Sequence, residues 1–82
     1  MEYDKISVGN TIKYLRKKKK MSQEVLSGLA DIGRSHLAMI ESGSKQANFE
    51  TIWKIAHGLG IKPSALVAEI EDYCKNNDAR KL

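Results

Sequence analysis

The sequence contains one cysteine and one proline in 82 residues. A single thiol, Cys74, cannot build an intrachain disulfide framework and fits a reducing compartment. No apolar run approaches the roughly 18 residues of a membrane-spanning helix. The opening MEYDK is acidic and polar, unlike a secretion signal. Cytoplasmic localisation is therefore the expectation. His36, His57 and Cys74 do not stand at metal-ligand spacing. There is no glycine-rich phosphate loop and no Ser/His/Asp arrangement. A chain this short is bounded to one domain with a small core, which leaves little room for a catalytic cleft. These absences predict a protein that is not an enzyme, with no metal, no cofactor and no small-molecule ligand.

Charge is present, and it is unevenly distributed. The formal net charge is +4. Residues 1–45 carry nine Lys/Arg against five Asp/Glu, whereas residues 46–82 carry five of each. Residues 64–74 hold Glu69, Glu71 and Asp72 with no basic residue. A polyanion is drawn to the first half and repelled by that late segment, which favours nucleic acid as partner.

The periodicity predicts an all-α domain of five helices over residues 1–75, followed by a frayed tail at 76–82. The first helix is expected from about Ser7 to Lys19, with Val8, Ile12 and Leu15 on one face. The second opens at the N-cap Ser22, has Glu24 near its positive end, and turns Val25, Leu26, Leu29 and Ala30 inward. The third follows Gly33, buries Leu37 and Ile40, and closes at Gly43. The fourth opens at Asn48, aligns Ile52, Ile55, Ala56 and Leu59, and ends at Gly60. The fifth begins at Pro63 and carries Leu66, Val67, Ile70 and Tyr73. Phe49, Trp53 and Tyr14 are expected in the core or between helices; their spacing forms no stacking platform for single strands.

The break between the second and third helices is the informative one. In LADIGRSHLAMIESG, a helical pattern stops for Asp31-Ile32-Gly33 and restarts at once. Asp31 is a residue that tolerates the left-handed conformation such a turn needs. Ile32 can anchor the turn, and Gly33 caps the next helix. Two short helices braced at a steep angle by Leu26, Ile32, Leu37 and Ile40 make a helix-turn-helix. Its second helix opens with Arg34-Ser35-His36, which are unsuited to a core and suited to a major groove.

At this point the chain resembles a known family. SQEVLSGLADIGRSHLAMIESG, preceded by IKYLRKKKKM and followed by FETIWKIAHGLGIKPSALV, is similar to the phage repressor and Cro type of helix-turn-helix, the xenobiotic-response-element family. The resemblance covers about residues 8–67. It rests on Arg16, Ser22-Gln23, Leu26, Ile32, Leu37, Ile40-Glu41-x-Gly43, Ile55-Ala56 and Leu59-Gly60-Ile61 in order. Ser27, Asp31, Lys20 and Ala47 depart from the pattern, in place of the common Ala, turn Gly, helix-ending Gly and Pro. They touch turn geometry, not the outward face.

The resemblance implies a lambda-repressor-like fold with residues 34–43 as recognition helix, and an Arg16–Glu41 ion pair joining the first and third helices. It implies base contacts from Arg34, Ser35 and Met39, flanked by His36. Phosphate contacts are implied for Gln23 and expected for Ser42, Ser44, Lys45 and Gln46. Each has a plainer reading: Arg34 as a solvated or phosphate-bound arginine, Met39 as packing, residues 42–46 as an ordinary polar loop. The run Lys17–Lys20 is read as a solvated face that supports long-range attraction to DNA.

The function expected is a sequence-specific double-stranded DNA-binding transcriptional regulator, a repressor-like protein acting as a homodimer. Leu66, Val67, Ile70 and Tyr73 are the expected dimer interface, unless that stripe only covers the core. Restriction–modification controller, prophage-type repressor and antitoxin remain open as the specific role. The rival from another class is a protein-interaction module that lost DNA binding; Arg34, Gln23 and Lys45 argue against it.

Overall fold

The computed structural model describes the backbone of residues 2–81 and the side chains of residues 2–76. Its elements are α1 (Lys5–Lys18), α2 (Gln23–Ala30), α3 (Arg34–Ser42), α4 (Phe49–Leu59) and α5 (Pro63–Lys81). Of the expected tail, 76–82, the side chains from 77 onward lie outside the described residues. Among the described residues no helix is long and apolar enough to cross a membrane.

Local capping explains where most helices begin. Asp4 caps α1, accepting from the Ile6 N–H at 3.0 Å, so the helix starts two residues before the expected Ser7. Ser22 Oγ accepts from the Val25 N–H at 3.1 Å, and Asn48 Oδ1 from the Thr51 N–H at 2.8 Å. Pro63 supplies the first residue of α5, where its missing N–H costs nothing.

The first four helices end in one shared closure. After each, a residue with positive φ turns the chain, and the next N–H reaches back to a carbonyl five residues earlier. The reaching groups are Met21 to Arg16, Ile32 to Ser27, Ser44 to Met39 and Ile61 to Ala56, at 3.0–3.1 Å. The turning residues are Lys20, Asp31, Gly43 and Gly60. Glycine adopts that conformation freely; an ordinary L-residue costs about 1–2 kcal/mol.

The core is built from Val8 and Ile12 of α1, Leu26 and Ala30 of α2, Leu37 and Ile40 of α3, Ile52, Ile55, Ala56 and Leu59 of α4, and Leu66 and Ile70 of α5. Leu15, Met21, Ile32 and Ile61 pack against its edge. Helix α1 crosses α3 at Gly9, where a Cβ would run into the carbonyl oxygens of Ile40 and Glu41. Among the described residues every buried side-chain nitrogen or oxygen has a partner.

Several expected core residues face outward instead. Val25 and Leu29 are about half exposed, because an eight-residue helix that seats Leu26 and Ala30 turns the neighbouring i, i+4 pair away. Phe49 (71% exposed) and Trp53 (55%) stand off the Ile52–Ile55–Leu59 face of α4 and meet each other at a tilt of 58°, centroids 5.7 Å apart. Tyr14 is also exposed and contacts Tyr73 of α5 at 6.2 Å.

Candidate nucleic-acid interface

Helix α3 is amphipathic in a way that its composition requires. Leu37, Ile40 and Glu41 fall on the inner face, at i, i+3 and i+4. Ser35, Met39 and Ser42 therefore point to solvent, Arg34 is exposed as the first residue of the helix, and His36 and Ala38 are half-buried at the margin. Gly33 at the N-cap offers no side-chain hydrogen bond. The positive end of α3 is thus left open beside the Arg34 guanidinium, an arrangement that favours an anionic partner.

The inner face is held by an ion-pair network. Arg16 Nε donates to Glu41 Oε2 at 2.7 Å and Arg16 Nη2 to Glu41 Oε1 at 3.0 Å, a bidentate fork. Arg16 Nη1 donates to the Met21 carbonyl at 2.8 Å. The side chains are 9% and 2% exposed. The hydrogen bonds to Glu41 raise the Arg16 pKa above its ordinary value; burial pulls it down, and the Glu41 charge adds to the rise. One guanidinium therefore ties α1, the α1–α2 turn and the last turn of α3 together, which fixes the tilt of α3.

Gln23, expected on DNA phosphate, sends Nε2 to Glu41 Oε1 at 3.1 Å and is half-buried. Its amide belongs to the network, and only its backbone N–H, at the first residue of α2, lies at the helix's positive end. The serines after α3 are likewise engaged. Ser42 Oγ lies 3.0 Å from the Met39 carbonyl and 3.0 Å from Ser44 Oγ, while Ser44 Oγ is 3.2 Å from the same carbonyl. Lys45 N–H also donates to Met39 O, at 3.2 Å. This knot leaves Lys45 and Gln46 as the fully outward side chains of the loop.

The expected dimer stripe is divided by the fold. Leu66 is 0% exposed and Ile70 9%, so both are consumed by the core of one protomer. Tyr73 is half-buried against Tyr14. Val67 alone of the four stands out, at 44%. It borders a shallow apolar groove between α4 and α5, with Phe49, Ile52, Trp53, Pro63 and Glu71. Phe49 and Trp53 were missed as surface residues, although their place about 60–100° off the α4 core face is legible from 3.6-residue periodicity.

An α2–turn–α3 unit with an open, arginine-bearing second helix defines a helix-turn-helix DNA-binding regulator. The chain belongs to the helix-turn-helix family HTH_3, whose model matches residues 12–66. It is 40% identical over 68 residues to control protein C.MunI from Mycoplasma sp, covering 82% of this chain and 92% of that one. It is 39% identical over 64 residues to the immunity repressor protein of Bacillus phage phi105, covering 78% of this chain and 44% of that one. Among solved structures it resembles the restriction-modification controller protein C.AhdI from Aeromonas hydrophila. That likeness has a TM-score of 0.72 and 32% identity, covering 76% of this chain and 94% of that one.

Proposed function

We propose that this regulator binds a specific double-stranded operator as a homodimer, with α3 in the major groove. The observation that carries the reading is the division of α3: Glu41 is clamped from within by Arg16, and Arg34, Ser35 and Met39 face out from an uncapped positive end. Arg34 is assigned to guanine O6 and N7, with Ser35, Met39 and the marginal His36 beside it. Lys45, Gln46 and the outer sides of Ser42 and Ser44 are assigned to the phosphate backbone. For Gln23 the backbone N–H, rather than the amide, is the phosphate donor.

One helix-turn-helix reads only a few base pairs, so two copies on half-sites about 34–36 Å apart are the economical arrangement. The face assigned to the second copy is the Phe49–Trp53–Val67 ridge and groove, in place of Leu66 and Ile70, which the core occupies. Lys62 and Glu71 both line that groove, so a two-fold pairing can set each copy's lysine against the other's carboxylate. The specific role supported by the 40%-identical control protein and the C.AhdI likeness is that of a restriction–modification controller. The phage immunity repressor supports a repressor role as the second reading.

Selection from a random duplex pool tests the proposal. The expected product is a site with two-fold or near two-fold symmetry, bound with strong salt dependence. Binding indifferent to salt, or no enriched sequence, would remove the reading. Sedimentation of Trp53→Ala should show a shift towards monomer; an unchanged dimer would move the interface elsewhere.

A further inference from the structure

The four matching helix closures single out one residue. Gly43 and Gly60 take positive φ without strain, and Asp31 is a residue that tolerates it. Lys20 takes φ 58 with a long, unbranched side chain that gains nothing from that conformation. The Lys20 N–H donates to the Lys17 carbonyl at 2.9 Å, but among the described residues its side chain makes no hydrogen bond, ion pair or ring contact, and the residue is exposed. The fold therefore carries a local strain for a side chain it does not itself use. Such outliers cluster where function needs the side chain.

Lys20 also sits in a fixed place. It precedes Met21, whose carbonyl takes the 2.8 Å bond from Arg16, and it stands three residues before Gln23, whose amide binds Glu41. The Lys20 backbone is thereby fastened to the same node as the end of the recognition helix, next to the positive end of α2. Lys18 of the same lysine run differs: its Nζ lies 5.9 Å over the ring of Tyr14, which also meets Tyr73 of α5.

We propose that Lys20 is a phosphate-binding residue that extends the DNA contact beyond the α2–turn–α3 unit, gripping the backbone beside the α2 N-terminus. The strained turn holds its ammonium at that flank; the rest of the lysine run supplies general attraction only. This rests on the DNA-binding reading above.

The test is the salt dependence of binding to the selected duplex, read by fluorescence anisotropy, for the parent and for Lys20→Gly, Lys20→Asn, Lys20→Arg and Lys18→Gln. The log–log slope should become shallower by about 0.9 per protomer in Lys20→Gly and Lys20→Asn. It should stay at the parent value in Lys20→Arg and Lys18→Gln. The thermal midpoint of Lys20→Gly should rise while its affinity falls, a pair of opposite signs that a purely structural role does not produce. Equal slopes for Lys20→Gly and the parent would overturn the proposal, as would an equal loss of slope in Lys18→Gln. A Lys20→Gly midpoint at or below the parent's would remove the strain argument. A parent that binds no duplex refutes the DNA reading itself, which is a different result from an unchanged slope in a parent that binds.

Discussion

Replacing Arg16 by methionine keeps most of the side-chain volume and deletes the charge that Glu41 faces. The Glu41 side chain is 2% exposed, and two of its three hydrogen bonds come from Arg16. The remaining bond, from Gln23, does not neutralise a carboxylate. Removing one partner of a buried pair costs about 3–5 kcal/mol. An 82-residue domain has a total stability of roughly 4–12 kcal/mol, so the variant sits near the edge of folding. The measurement is urea unfolding at fixed protein concentration, because a dimer makes the midpoint concentration-dependent. The parent–variant difference should stay flat from neutral to strongly alkaline pH on the arginine's account. A raised pKa means its contribution is complete below the ordinary value and lost only as pH climbs through the raised one. The double variant Arg16→Met/Glu41→Leu removes both charges and should recover most of the loss. A cost below about 1 kcal/mol for Arg16→Met would refute the reasoning, since exposed ion pairs are worth no more than that.

Four further substitutions test the same structure. Gly9→Ala places a Cβ against the Ile40 and Glu41 carbonyls and should destabilise by about 1–3 kcal/mol or more in denaturant titration, since two helix backbones must part. Arg34→Ala should leave stability within about 0.5 kcal/mol. It should cost roughly 1–3 kcal/mol of base discrimination in competition binding, whereas Lys45→Ala should weaken all duplexes alike. Asp31→Gly relieves a positive-φ residue and should raise stability by about 0.5–1 kcal/mol by thermal melting, with the α2–α3 turn unchanged.

Features decided within a few residues were legible in the sequence. Ser22, Asn48, Gly43 and Gly60 mark helix ends through bonds to groups three or four positions away, Pro63 marks one through its fixed φ and missing N–H, and each does so in the structure. The left-handed turn at Asp31 and the inward Leu26, Leu37 and Ile40 belong to the same local grammar. Asp4 carries such a signal too, three residues before Ser7, whose hydroxyl donates to it at 2.8 Å; apolar periodicity does not report it, because the inward stripe of α1 begins only at Ser7 and Val8. What α2 would bury was less legible. Val25 and Leu29 repeat at the same interval as Leu26 and Ala30, and periodicity alone cannot say which pair meets α4.

The outward side of α3 was legible for a related reason: once Leu37, Ile40 and Glu41 point inward, helical geometry leaves Ser35 and Met39 nowhere else to go, and Arg34, three residues before Leu37, is exposed because it opens the helix. Gln23 was not, because its partner lies 18 positions away and no spacing rule reports a contact between helices. The division of the α5 stripe was not legible for the same physical reason. A stripe at Leu66, Ile70 and Tyr73 is equally suited to a partner or to the chain's own α1 and α4, and buried area is claimed first by whatever is already tethered nearby. Intramolecular packing takes Leu66 and Ile70 and leaves over only those residues that a single protomer cannot reach. The uncovered apolar surface is therefore found by subtraction: Phe49, Trp53 and Val67 are large, apolar and still exposed after the core is complete.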